Sequence, residues 1–193
     1  MEQDPELLKK EIEKATEVLR KGGIILYPTD TIWGIGCDAT NADAVAKVFE
    51  IKNRAESKSL ITLVSDADMI GKYVRVFPQV ANMLLEVNDK PMTIIYPGAT
   101  GLASNVIAED GSVGIRVPQH EFCQRLIKKF GRPIVSTSAN MSGDPSPAKF
   151  EDVSEKIKES VDYIVNKRYD TDPTHSPSQI IKVGLNGEVK IIR

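Results

Sequence analysis

The sequence predicts an α/β fold, and three observations carry that prediction. Helix-like and strand-like segments interleave along the whole chain. The strand-like segments are short apolar runs that end in glycine, proline or polar loops. Finally, Asn186-Gly187 separates the last two of them, a hairpin signal that makes the sheet mixed rather than purely parallel. The 193 residues show no internal repeat, low-complexity tract or dividing linker, so one domain over 1–193 is expected.

The first element is a helix that opens at Asp4-Pro5-Glu6: an N-cap, a proline in the first turn and an acid that suits the dipole. Leu8, Ile12, Ala15 and Leu19 follow at helical spacing, and Gly22-Gly23 stops it. Residues 23–27 read as a buried strand that Pro28 ends. A second helix covers 41–52, with Ala44, Val45, Val48 and Phe49 on one face. Strand 60–64, helix 76–87 and strands 92–96 and 112–117 come next. Phe122, Leu126, Ile127 and Phe130 mark another helix. Strand 133–135 runs into a polar loop at 136–140, a helix covers 150–160, and strands at 163–165, 179–183 and 189–192 complete the series. The polar stretch 167–177 reads as a loop able to move over a site.

Composition narrows the function. Hydrophobic residues at 41% and charged residues at 27% exclude a disordered or fibrous chain. A net charge of −2 argues against a uniformly basic nucleic-acid coat but leaves room for a local basic groove. Two cysteines, Cys37 and Cys123, lie far apart in no metal-ligand spacing and suit a reducing cytoplasm. The acidic N-terminus has no signal-peptide core, and no apolar run approaches the roughly 20 residues of a membrane span.

The usual catalytic motifs are missing. There is no phosphate-binding Gly-x-x-x-x-Gly-Lys-Ser/Thr loop, no Gly-x-Ser-x-Gly elbow and no His-Glu-x-x-His. The two histidines, His120 and His175, lie in no motif and read as surface or structural residues. Four polar segments after strands and helices stand out instead. Pro28-Thr29-Asp30-Thr31-Ile32-Trp33-Gly34-Ile35-Gly36 is a tight turn or a ligand loop, with glycines that allow close backbone approach. Lys52-Asn53-Arg54, with Lys58 beyond, is a favourable helix-end charge set or a phosphate clamp. In Ser112-Val113-Gly114-Ile115-Arg116-Val117-Pro118, Arg116 interrupts an apolar strand, so a salt bridge or a ligand must answer its charge. Ser136-Thr137-Ser138-Ala139-Asn140-Met141-Ser142-Gly143, followed by Ser146, offers more hydroxyl and amide groups than one helix cap needs.

Together these segments resemble the YrdC-type threonylcarbamoyl-AMP synthases over nearly the whole chain. Pro-Thr-Asp-Thr-x-x-Gly-x-Gly, Lys-x-Arg, Gly-x-Arg-x-Pro and Ser-Thr-Ser-Ala-Asn-x-Ser-Gly occur in the family's order and spacing. Pro177-Ser178-Gln179-Ile180-Ile181 and Ile191-Ile192-Arg193 fit its terminal strands, and the chain is similar to the short form without the additional C-terminal domain of some relatives. The resemblance implies a twisted mixed sheet flanked by helices, with a concave basic cleft. It implies a cytoplasmic nucleotidyltransferase that makes threonylcarbamoyl-AMP and pyrophosphate from L-threonine, bicarbonate and ATP. Partner proteins would then carry the threonylcarbamoyl group to the adenosine beside the tRNA anticodon, with tRNA contact indirect or weak.

By the same resemblance Thr31, Arg116, Ser136 and Ser178 would hold threonine, with Arg116 on its carboxylate. Lys52, Arg54, Lys58, Ser112, Ser138, Asn140, Ser146 and Arg193 would line the ATP region. Mg²⁺ would arrive with ATP, and no side chain is expected as acid or base. Leu63 stands where some relatives carry a histidine against threonine, and Lys58 where some carry asparagine. The competing readings are a non-catalytic RNA-binding protein using the same cleft, a sugar-phosphate lyase of riboflavin synthesis, and a scaffold. Scarce histidine argues against the lyase, and four polar loops exceed a scaffold's needs.

Overall fold

The computed structural model describes residues 4–55 and 59–193. Lys58, one of the residues expected near ATP, lies outside them.

The first helix, α1 (Pro5–Arg20), begins as its sequence dictates: the Asp4 carboxylate accepts from the Glu6 N–H at 2.9 Å. Its buried stripe of Leu8, Ile12, Ala15 and Leu19 packs against α5 (Glu121–Phe130), whose Phe122, Leu126, Ile127 and Phe130 are also buried. Each such side chain contributes roughly 1.5–3 kcal/mol by leaving water. Asn41 caps α2 (Ala42–Lys52), accepting from the Asp43 and Ala44 N–H groups. At its far end Asn53 adopts a left-handed conformation (φ 49°) that turns the chain toward Arg54.

Among the described residues nine strands form one mixed sheet. In chain order they are β1 (Ile25–Tyr27), β2 (Gly34–Gly36), β3 (Ile61–Leu63), β4 (Met92–Tyr96), β5 (Val113–Arg116), β6 (Ile134–Ser138), β7 (Tyr163–Ile164), β8 (Gln179–Val183) and β9 (Val189–Ile191). Their spatial order is β7-β1-β2-β6-β3-β5-β4-β8-β9. The pairs β1/β7, β3/β5 and β4/β8 are parallel and the others antiparallel, so the expectation of a mixed α/β sheet holds. The last hairpin forms as expected, with Gly187 at φ +86°.

Several elements differ from the sequence reading, among them β2, which lies in the segment read as a turn or ligand loop. The hydroxyl-rich segment at 136–138 is strand, not loop, because β6 is paired on both sides: Ser136 with Ile61 of β3 and Ser138 with Gly34 of β2. The helix expected over 76–87 begins at Gln79, as α4 (Gln79–Val87), because Pro78 disfavours helical backbone at Phe77. The helix expected over 150–160 is divided into a 3₁₀ turn (Phe150–Asp152) and α6 (Glu155–Ser160). Ser154 caps the second piece, its hydroxyl accepting from the Ile157 N–H at 3.3 Å. A one-turn helix, α3 (Ala67–Ile70), was not foreseen; Asp66 caps it.

Strand periodicity then positions the site. Thr93 and Ile95 on β4, Gly114 and Arg116 on β5, Ser136 and Ser138 on β6, and Ile180 and Lys182 on β8 recur two residues apart and share one face of the sheet. All of them line one cavity on that face. The alternate residues Ile94, Ile115 and Val135 are buried in the hydrophobic core.

Candidate active site

The cavity encloses about 800 Å³, within the range of small-molecule sites. Gly114 forms part of its floor; a Cβ there would stand 3.3 Å from the Thr93 methyl. The four residues expected at threonine all line it: Thr31, Arg116, Ser136 and Ser178. Of those expected at ATP, Arg54, Ser112, Ser138, Ser146 and Arg193 line it as well.

Arg116 is only 4% exposed, and a protein carboxylate answers its charge: the Nη1 group donates to Asp30 Oδ1. The salt bridge and the ligand, alternatives in the sequence, are therefore not exclusive. Nη2 reaches the Thr31 hydroxyl only at 3.4 Å, and Nε is buried with no partner. Nη1 is thus spent on the protein, while Nε has no partner among the described residues and Nη2 is only loosely held, in a residue that lines the cavity.

The hydroxyls beside it have assigned directions. Thr29 Oγ1 donates to the Ile32 carbonyl at 2.8 Å and accepts from the Thr31 N–H at 3.1 Å. Its 2.9 Å contact with Thr31 Oγ1 then takes the Thr31 hydroxyl proton. Thr31 thus presents a lone pair, suited to an amine or ammonium donor. Ser178 pairs with Thr93 through their hydroxyls at 2.8 Å.

Arg54 donates from Nη2 to the Ser59 carbonyl at 2.9 Å, and its Nε has no partner. Burial lowers its pKa from the ordinary arginine value. Arg193 donates from Nε and Nη2 to the Ser178 carbonyl, tying the last residue to the cavity wall at Ser178. These two guanidiniums, with Lys182, supply its positive charge.

Lys52 and Asn140 are not among the lining residues. Lys52, 1% exposed, donates instead to the Ser138 and Asn140 carbonyls, and Asn140 holds the Asp144 carbonyl at 2.6 Å. They shape the loop after β6 from beneath. Leu63 is buried in the core and does not line the cavity either. His120 caps α5, its Nδ1 accepting from the Cys123 N–H at 3.4 Å, and His175 contacts the Ala148 carbonyl through Nδ1 at 2.8 Å. Both histidines serve structure, as the sequence suggested.

Sequence reasoning missed several lining residues. Asp110 accepts from the Ser112 hydroxyl and N–H and from Lys182 Nζ at 2.7 Å, which hold its carboxyl well below the usual carboxylate range. Lys182 interrupts an apolar strand just as Arg116 does, and the same signal marks it. Trp33 lines the cavity and donates from Nε1 to Asp170 at 2.8 Å; the Thr174 N–H donates to the Asp30 carbonyl at 2.9 Å. The polar stretch at 167–177 is thereby tied to the Pro28–Trp33 turn at two points.

The Sua5/YciO/YrdC family model, which carries the description "Telomere recombination", matches residues 17–193. The chain belongs to this family. Among its members, a threonylcarbamoyl-AMP synthase of Vibrio cholerae is 31% identical over 176 residues, covering 90% of this chain and 93% of that protein. A doubly substituted Sua5 of P. abyssi has the same fold, with a TM-score of 0.83 and 27% identity over 94% of this chain. P. abyssi Sua5 complexed with L-threonine gives a TM-score of 0.79 and 28% identity over 89% of this chain. The chain spans about half the length of these two Sua5 chains, 52% and 50%. Among the described residues, no helix of this family member is long and apolar enough to cross a membrane.

Proposed function

We propose that this chain is an L-threonylcarbamoyladenylate synthase, a nucleotidyltransferase that forms threonylcarbamoyl-AMP and pyrophosphate from L-threonine, bicarbonate and ATP. The observation that carries the reading is the half-satisfied Arg116. Its buried guanidinium has Nε unpartnered among the described residues and Nη2 loosely held, and it lines a cavity that Arg54 and Arg193 also line. That pairing suits one small carboxylate and one polyanion in a single space. The relatives' names support the same reading over a non-catalytic RNA-binding module.

On this reading the threonine carboxylate takes the Nε–Nη2 edge of Arg116, and Ser136 and Ser178 lie beside the amino acid. The Thr31 hydroxyl oxygen accepts a hydrogen bond from the amine, which orients the nitrogen. The amine adds to the bicarbonate carbon and water leaves, giving a carbamate. A carbamate oxygen attacks the α-phosphorus of ATP, and the bond to the β-phosphate oxygen breaks to release pyrophosphate. Arg54 forks onto phosphate oxygens, with Ser112, Ser138, Ser146 and Arg193 nearby, while Lys52 and Asn140 hold the loop that follows Ser138. Lys58 belongs to the same proposal by sequence position. Such a reaction needs positioning and charge stabilisation rather than a side-chain base.

Mg²⁺ would come with ATP and neutralise phosphate charge. Among the described residues no group of three His, Cys, Asp or Glu could cage it, and Asp110 is already engaged by Ser112 and Lys182. This donor set suits a metal held by phosphate and water oxygens. A cytoplasmic setting suits the use of ATP and the two buried free thiols. Partner proteins would take the product to tRNA, with any tRNA contact by this chain indirect or weak.

Incubation with ATP, bicarbonate and labelled threonine, followed by chromatography, tests the reading. A species carrying both the label and adenine absorbance is expected; recovery of only free threonine would refute it.

A further inference from the structure

Among the described residues Asp30 is the one carboxylate that forms a salt bridge with Arg116, and nothing so far gives it a part in the reaction. It is 4% exposed and held at three points. Oδ1 accepts from Arg116 Nη1, Oδ2 accepts from the Gln119 N–H at 2.9 Å, and its main-chain carbonyl accepts from the Thr174 N–H at 2.9 Å. Pro28 and the Thr29 hydrogen bonds fix the turn from which it projects.

A guanidinium on a long flexible arm has several rotamers. Here a carboxylate that is itself immobilised grips one terminal nitrogen from the protein side. The grip leaves Nε without a partner and Nη2 with only the long contact to Thr31. An unsatisfied buried N–H is costly, so a ligand carboxylate that reached Nε and Nη2 would relieve that cost.

We propose that Asp30 is a positioning residue: it locks Arg116 at the cavity wall with Nε and Nη2 left for a ligand, and through these nitrogens it sets the preference for an amino acid with a free carboxylate. This rests on the function proposed above. It makes an unusual claim, because Asp30 is an anion close to where an anion should bind. If it served only to neutralise Arg116, removing its charge would strengthen carboxylate binding. If it positions Arg116, removing its charge weakens it.

The test compares L-threonine with L-threoninol, which lacks the carboxylate, by calorimetric titration of the full chain. The wild type is expected to bind threonine more tightly than threoninol. In Asp30→Asn, nearly the same size but uncharged, that ratio should fall by about tenfold, the size of one lost charge-assisted contact. A merely structural role would weaken both ligands alike and leave the ratio unchanged. Charge neutralisation would raise it. Either result overturns the proposal while leaving the proposed function standing. A wild type that binds neither ligand would overturn both. Should Asp30→Asn fail to fold, Asp30→Glu serves instead: its extra methylene displaces the guanidinium, and the ratio should fall again, with an unchanged ratio counting against the proposal.

Discussion

Lys52 donates from a buried ammonium to the main-chain carbonyls of Ser138 and Asn140, at 2.5 and 2.7 Å. Its own carbonyl accepts from the Ser142 N–H at 2.8 Å. The last residue of α2 thus folds the chain after β6 around itself, and this loop, which follows Ser138, brings Ser146 to the cavity wall. In this arrangement the ammonium serves as a strut: a methionine of similar length would leave two carbonyls without their donor, at about 1–3 kcal/mol each.

The strut should titrate. Burial, and next the Arg54 guanidinium, bring the Lys52 pKa from 10.5 down to about 8. Folding therefore disfavours the charged form. Below about 8 both states are charged and the penalty is complete; above 10.5 both are neutral and it is absent. The stability of the wild type relative to Lys52→Met, which does not titrate, should rise as pH goes from about 8 to 10.5. Melting curves of the two proteins at those pH values check this. A constant gap would contradict the lowered pKa.

Arg116→Lys should separate the two edges of the guanidinium. Lysine keeps a charge for Asp30 but cannot offer a second planar edge. Threonine affinity should fall by about 10- to 150-fold, with only a small loss in melting temperature. Calorimetric titration beside a melting curve of the same sample reads both. Full threonine affinity in a destabilised protein would make Arg116 structural only.

Arg54→Ala should harm ATP use more than threonine binding. Among the described residues its Nε is unpartnered and its Nη2 meets the Ser59 carbonyl, so its removal leaves little unsatisfied there. A lost contact to phosphate should raise the ATP concentration for half-maximal rate by about 10- to 150-fold. Steady-state rates against ATP measure it, and an unchanged ATP dependence would reduce Arg54 to a solvated helix end.

Gly36→Ala should destabilise the fold. A Cβ at Gly36 would stand 2.6 Å from the Val135 carbonyl oxygen and 2.6 Å from a Tyr27 ring carbon. Overpacking of this kind costs about 1–3 kcal/mol. Urea titration should show a lower midpoint with an unchanged slope; an unchanged midpoint would mean that β1, β2 and β6 yield at this point.

This glycine also shows where the sequence was legible and where it was not. Gly34 and Gly36 were readable as places of close backbone approach, but three residues with two glycines carry no strand signal, so β2 was invisible. Ser136 and Ser138 were readable as ligand-facing hydroxyls yet placed on a loop, because polar residues hide the alternation that apolar residues reveal. The apolar stripes of α1 and α5 stand out because their spacing is local. Asp30 on Arg116, Trp33 on Asp170 and Lys182 on Asp110 are separated by 86, 137 and 72 positions, and only the folded sheet brings them together. The motif residues around the cavity were legible as a set, whereas the division between lining residues and the struts Lys52 and Asn140 was not.

The most direct measurement is pyrophosphate release from ATP with each other substrate omitted in turn. With the carbamate of threonine as the group that attacks ATP, release should require both threonine and bicarbonate. Equal release without threonine would contradict it and make the protein a simple ATPase.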